Sequence, residues 1–211
     1  MSKNKYMLSA CAVAFTVNLA LFMTKLYIGL RTNSISIYSD AVNNMFDSLS
    51  GLITLVFMAF ILRKSGQSVK VSIPKCESLF SFLTAMAMTG AGLYFAYTSL
   101  ERLMYPTPVW FTYYYLAALI FTCAVKIALF FVYGRLGRKS DSPVIKVMKY
   151  DCILDFFITL MTVITLAVSK TGTYAFDSVF GIIISIIMTV TAIKLLISNG
   201  RDLVDYEKQQ I

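Results

Sequence analysis

Four oxygen-bearing side chains dominate the chemistry that this sequence offers. Asn43 and Asp47 stand four residues apart, as do Asp151 and Asp155, and each pair lies inside an apolar stretch. Residues i and i+4 stack on one face of a helix. Two facing helices would therefore present Asn43, Asp47, Asp151 and Asp155 to each other. Asp47 and Asp155 fall about halfway along their stretches, on the order of 15 Å from either end at the helical rise, too far for a carboxylate to reach water. Ionisable groups at such depth are costly and mark ion paths by default. Lys126, in the fourth apolar stretch, can pair with only one of the three carboxylates. A divalent cation or protons would satisfy the rest. The competing role is interhelical hydrogen-bonding glue, which suffices for a lone intramembrane Asn. An acidic i,i+4 motif on two helices favours an ion site instead. The sequence has no histidine, so neither a metal site nor a proton relay can use imidazole.

Other charged residues have local readings. Asp40 shares the stripe of Asp47, two turns away; it lines an entry path, or it pairs or caps backbone near the helix start. Asn44, on the flank of that stripe, reads as packing. Lys25 and Lys194 lie toward helix ends and read as snorkelling. Asp177 would stay hydrated at the interface. Glu77 would begin the third helix and favour its positive dipole end.

The elements that must position these groups follow from composition. Of 211 residues, 58% are hydrophobic and 14% charged, with a mean hydropathy of +0.72. Soluble domains carry about 45–50% apolar and ~25% charged residues. At roughly 20 residues per span, the length allows about six transmembrane helices and leaves little for another domain. Intrinsic disorder, nucleic-acid binding and a disulfide scaffold are excluded. Cys11, Cys76, Cys123 and Cys152 are dispersed, with no metal-site spacing. The apolar stretches run at about 6–30, 36–62, 78–100, 109–134, 144–169 and 173–198. The first is too long for a signal peptide and reads as a retained span. Pro106 and Pro108 punctuate the third connection, and Pro143 starts the fifth helix, where proline is tolerated. The expectation is an all-α, multi-pass protein of the cell membrane: a six-helix transport domain over 1–200 and a short cytoplasmic tail over 201–211.

Orientation follows from Lys and Arg. Lys3, Lys5, Arg63, Lys64, Lys70, Lys75, Arg135, Arg138, Lys139, Lys146, Lys149, Arg201 and Lys208 fall in one set of connections; Arg31, Arg102 and Lys170 fall in the other. This bias places both termini in the cytoplasm and accounts for the net charge of +8. A repeat is also visible: Asn43, Asp47 and Thr54 match Asp151, Asp155 and Thr162 in spacing. Helices 2 and 5 run oppositely, so helices 1–3 and 4–6 would form an inverted repeat, as in many secondary transporters.

These residues, taken in order, resemble the cation diffusion facilitator family of divalent-metal transporters. Asn18, Lys25, Gly29 and Ser34 stand in the run NLALFMTKLYIGLRTNS, similar to the family's first helix and its exit. Ser39, Asp40, Asn43 and Asp47 match its second-helix pattern, and Asp151 and Asp155 its fifth. The Pro106–Pro108 turn and Asp177 with Gly181 are similar to the family as well. The likeness covers the whole six-helix region. It implies Asn43, Asp47, Asp151 and Asp155 as metal ligands, export from the cytoplasm, and a homodimer. Two departures stand out. Only Asn199–Ile211 follow the sixth helix, where many members have a cytoplasmic metal-binding domain. The stretch before Lys75-Cys76-Glu77 also lacks the family's His- and Gly-rich loop.

The ligand chemistry narrows the cargo. Zinc prefers His and Cys in closed tetrahedral sites. One amide and three carboxylates favour harder ions such as Mn²⁺ and Mg²⁺, and Mg²⁺ dehydrates reluctantly. The pairing also resembles the family's manganese branch. The expected function is Mn²⁺ export by proton antiport in the lipid bilayer; Zn²⁺, Fe²⁺, Co²⁺ and Cd²⁺ are the alternatives. The metal is substrate, no cofactor is expected, and the chain reads as a carrier rather than an enzyme. Rival classes are a cation channel with an acidic filter and a membrane scaffold whose acids are glue.

Overall fold

A computed structural model describes residues 3–63, 72–140 and 143–208 of the chain. It has six helices: α1 (Lys3–Thr32), α2 (Ile35–Arg63), α3 (Ser72–Met104), α4 (Tyr113–Ser140), α5 (Pro143–Ser169) and α6 (Ala175–Lys208). All six are long and apolar enough to cross a membrane. The six expected spans and the all-α class are borne out, and the chain is a multi-pass protein of the cell membrane. A bilayer offers no water to the backbone, so each segment satisfies its own peptide groups as a helix.

Most helices outrun the apolar stretches, because a helix need not stop where the hydrocarbon does. α3 begins at Ser72, which puts Glu77 in its second turn and not at its start. α5 begins at Pro143, as the sequence predicts. α6 continues through Gly200 to Lys208, so most of the stretch assigned to a tail is helical. Lys64 and Lys70 of the second connection, and Gln209–Ile211, lie outside the described residues.

One face of the bundle is built from tight turns. Asn33, which follows the end of α1, has a left-handed φ of 55°, and Ser34 N closes back on Gly29 O at 3.2 Å. Asn is among the few residues that adopt this cap conformation readily. A side chain at Gly29 would crowd the backbone of Tyr38 on α2, so glycine permits the α1–α2 contact. The α3–α4 connection folds over this turn. Trp110 N donates to Thr32 O, Asn33 Nδ2 donates to Pro108 O, and Arg102 Nη1 donates to Asn33 O.

Packing pairs α1 with α2, α4 with α5, and α3 with α6, while α2 touches α1, α3, α5 and α6. The outer surface carries large apolar side chains such as Phe121, Phe131 and Leu93. The interior holds Lys25, Asp40, Asn44, Lys126 and Thr159, each fully buried. In water such a distribution would be unstable. In a bilayer the apolar exterior meets lipid, and the polar groups are driven together inside.

Candidate functional site

α2 is central, so its polar stripe faces neighbours rather than lipid. The cavity at mid-bundle is lined by Asn43 and Asp47 of α2, Asp151 and Asp155 of α5, and by Met88, Ile187 and Thr191 of α3 and α6. Its volume of about 30 Å³ is enough for a water-sized occupant. The four residues singled out from spacing are thus brought to one cavity. Asp47 lies 12 residues into α2, and Asp155 the same distance into α5, or roughly 18 Å along each helix. Burial is graded: Asn43 and Asp155 are buried, Asp47 is half-buried, and Asp151 is exposed.

Within the cavity the groups satisfy one another. Asn43 Nδ2 donates to Asp155 Oδ1 at 3.0 Å and makes a long contact of 3.5 Å to Asp47 Oδ2. Lys126 of α4 reaches the other oxygen of Asp155 at 2.5 Å and also donates to Asn18 Oδ1 of α1 at 2.8 Å. Lys126 is fully buried, and the Asp155 side chain is 7% exposed. Among the described residues, no three Asp, Glu, Cys or His side chains form a metal-holding group in this conformation. In this conformation the Asp155 carboxylate is engaged by the Lys126 ammonium and the Asn43 amide.

A second buried pair lies nearer the tight-turn face. Lys25 Nζ meets Asp40 Oδ2 at 2.8 Å, and both are fully buried. Lys25 also donates to Thr159 Oγ1 at 2.7 Å, and Thr159 donates to the Asp155 carbonyl at 2.7 Å. The pair therefore joins α1, α2 and α5 one turn from Asp155. Lys25 does not snorkel. It lies seven residues from the end of α1, roughly 10 Å deep, and a buried carboxylate is nearer than water. Asp40 is engaged by Lys25 and by Asn44 Nδ2 at 3.1 Å.

Asp177 also departs from expectation. It is 3% exposed, with no hydrated position. One of its oxygens accepts from Ser34 Oγ at 2.5 Å, Ser36 Oγ at 2.7 Å and Ser36 N at 3.2 Å; the other accepts from Ile35 N at 2.8 Å. This carboxylate from α6 caps the N-terminus of α2, where orphan amides and the helix dipole favour an anion. It fixes the start of the helix that carries Asn43 and Asp47. Sequence reasoning missed Asn18 as the partner of Lys126, and Thr159, Met88, Ile187 and Thr191 as neighbours of the cavity. Three intramembrane lysines (Lys25, Lys126, Lys194) among several acids were the available signal for the two ion pairs. Lys194 is exposed and lies 14 residues before the end of α6, away from the helix end that snorkelling assumed.

Comparison with known proteins identifies the family. The chain is 23% identical over 182 residues to an uncharacterized transporter of Methanocaldococcus jannaschii, covering 86% of the chain and 64% of that protein. It is 22% identical to Protein p34 of Rickettsia rickettsii over 206 residues, 98% of the chain and 68% of that protein. It is 24% identical over 211 aligned positions to the cation-efflux pump FieF of Salmonella arizonae, covering 97% of the chain and 70% of the pump. The chain thus spans about two thirds of the length of these relatives. The family model for the cation efflux transmembrane domain matches residues 11–204, which include every residue that lines the cavity, and the chain belongs to that family.

Proposed function

We propose that this chain exports a divalent metal cation, Mn²⁺ by preference, from the cytoplasm in exchange for protons. The carrying observation is the convergence of Asn43, Asp47, Asp151 and Asp155 on one mid-membrane cavity. The basic face of the bundle, with Arg135, Arg138 and Lys149, would be cytoplasmic by the positive-inside rule. Asp151 lies toward that face and is exposed, whereas the Lys25–Asp40 pair closes the opposite side. That gradient supports loading from the cytoplasm.

Loading requires the Asn43 amide to turn its oxygen toward the ion, since its nitrogen now faces Asp155. It also brings Asp47 and Asp151 onto the cation. The all-oxygen donor set supports a hard ion over Zn²⁺. Metal binding needs ionised carboxylates, so protons arriving from the other side compete the ion off, and the protonated carrier returns. The matched pairings of α1 with α2 and of α4 with α5 support the inverted repeat and rocking about a fixed midplane site. A homodimer fits the same reading through the family.

The test is Mn²⁺ flux with an internal pH indicator in proteoliposomes. Wild-type protein should move Mn²⁺ with counterflow of protons, and Asp47→Ala and Asp155→Ala should each abolish flux while remaining inserted and monodisperse. A monodisperse variant that transports at the wild-type rate overturns the four-residue site. Flux with no proton movement overturns antiport in favour of a channel.

A further inference from the structure

The basic face carries a second concavity that metal transport does not use. At the ends of α4 and α5 a cavity of about 240 Å³ is lined by Phe130, Phe131, Gly134, Arg135, Arg138 and Lys149. We propose that this cavity is a binding site for the headgroup of an anionic phospholipid.

Three observations carry the assignment. The first is charge: half of the lining residues are cations, and none is in an ion pair with a described residue. Among the described residues, the ion pairs are Lys25–Asp40 and Lys126–Asp155. Three cations lining one cavity, with no carboxylate among the described lining residues, leave an anion-shaped demand. Arg135 and Arg138 lie at i and i+3 on one face of α4, and guanidinium groups suit the planar, multi-oxygen surface of a phosphate.

The second is construction. Lys149 Nζ sits 4.6 Å from the centroid of the Phe130 ring, held in a cation–π contact. A side-chain carbon at Gly134 would meet Lys149 Cε at 3.8 Å and nothing else within 4 Å. Glycine therefore keeps the space beside the lysine open.

The third is depth, and it selects lipid over free phosphate. The apolar span of α4 ends at Arg138, and that of α5 begins at Val147, two residues before Lys149. The cavity thus lies at the membrane boundary. Along α4 the lining passes from Arg138 and Arg135 to Phe131, one turn deeper and 61% exposed. Cationic groups at headgroup level above an exposed aromatic ring match a phosphate joined to acyl chains. Basic pockets between helices at this level are a known mode of headgroup recognition.

The experiment is native mass spectrometry of the full chain in detergent, titrated with phosphatidylglycerol, cardiolipin, phosphatidylcholine or inorganic phosphate. Wild-type protein should retain the anionic lipids at least tenfold better than phosphatidylcholine. Each cation lost should weaken retention roughly fivefold, so Arg135→Gln with Arg138→Gln should largely remove the preference. Gly134→Leu keeps every charge but fills the cavity, and it should also remove it; leucine is a better helix former than glycine, so the fold is kept. Arg201→Gln, which deletes one charge elsewhere on the basic face, should retain lipid as wild type does. Unchanged retention in Gly134→Leu would mean diffuse attraction to basic residues and would overturn the site. Displacement of bound phosphatidylglycerol by millimolar inorganic phosphate, without preference among lipids, would overturn the lipid assignment.

Discussion

Replacing Lys126 with Met should tighten metal binding while weakening the metal-free protein. Lys126 is fully buried and holds Asp155 at 2.5 Å. An ammonium and a carboxylate about 4 Å apart attract by about 4 kcal/mol at the effective dielectric of protein sites, and this pair is closer. Breaking a buried pair by removing one partner costs about 3–5 kcal/mol, because the remaining charge is stranded. In Lys126→Met the stranded charge is Asp155, which lies on the metal cavity. A divalent cation that engages Asp155 relieves the cost, so the destabilisation of the empty protein reappears as binding energy. At about 1.4 kcal/mol per tenfold, full relief of that cost corresponds to roughly two to three and a half orders of magnitude in Kd. Incomplete coordination would reduce this to roughly tenfold, the smallest effect consistent with the charge count. The assay is Mn²⁺ titration of detergent-purified protein by calorimetry, with thermal melts with and without metal. The variant should melt lower than wild type when empty and show a larger Mn²⁺-induced rise. Net transport should fall, because an ion held more tightly leaves more slowly. Equal or weaker Mn²⁺ binding in a folded variant would refute the reasoning and make Asp155 structural.

Other predictions follow from the same contacts. Asn43→His places a borderline-soft nitrogen at the cavity and should raise Zn²⁺ transport relative to Mn²⁺ in competition assays; an unchanged ratio removes Asn43 from the ligand set. Because ions displace protons from carboxylates, apparent Mn²⁺ affinity should fall as pH falls. Calorimetry in buffers of different ionisation enthalpy should then register proton release on binding, and zero release at every pH tested would exclude proton coupling by this cluster. Asp177→Ala strips the cap from α2, leaving buried donors at Ile35 and Ser36 unsatisfied. That should cost about 1–3 kcal/mol, read as a lower melting temperature, while Mn²⁺ affinity of the folded fraction stays near wild type.

The four cavity residues were legible because two helical offsets of four, set in apolar stretches, admit few physical explanations. The spans were legible because length and hydropathy decide them. Which helices pair was not, since a membrane helix is apolar on most sides and its periodicity does not say which side meets protein. The ion pairs were harder still. Lys25 and Asp40 sit on different helices, and depth alone left snorkelling open for the lysine. Asp177 illustrates the limit: its partners Ser34 and Ser36 lie more than 140 residues away in the chain, and no local pattern connects a carboxylate on α6 to the start of α2.

The distribution of buried charge supports the proposed divalent cargo. Lys25 and Asp40 cancel, and so do Lys126 and Asp155. Asp177 is offset by the positive end of α2. What remains at the cavity is Asp47 and Asp151, two carboxylates with no cation of their own among the described residues. Two uncompensated negative charges inside a membrane are untenable without a ligand or protons. One divalent cation balances them, and so do two protons; a single monovalent ion leaves a net charge. In the proposed antiport the carrier crosses between its two states in either neutral form. Under the proposed function Lys126 would set the valence of the cargo: with it the cavity calls for two positive charges, and in Lys126→Met it calls for three.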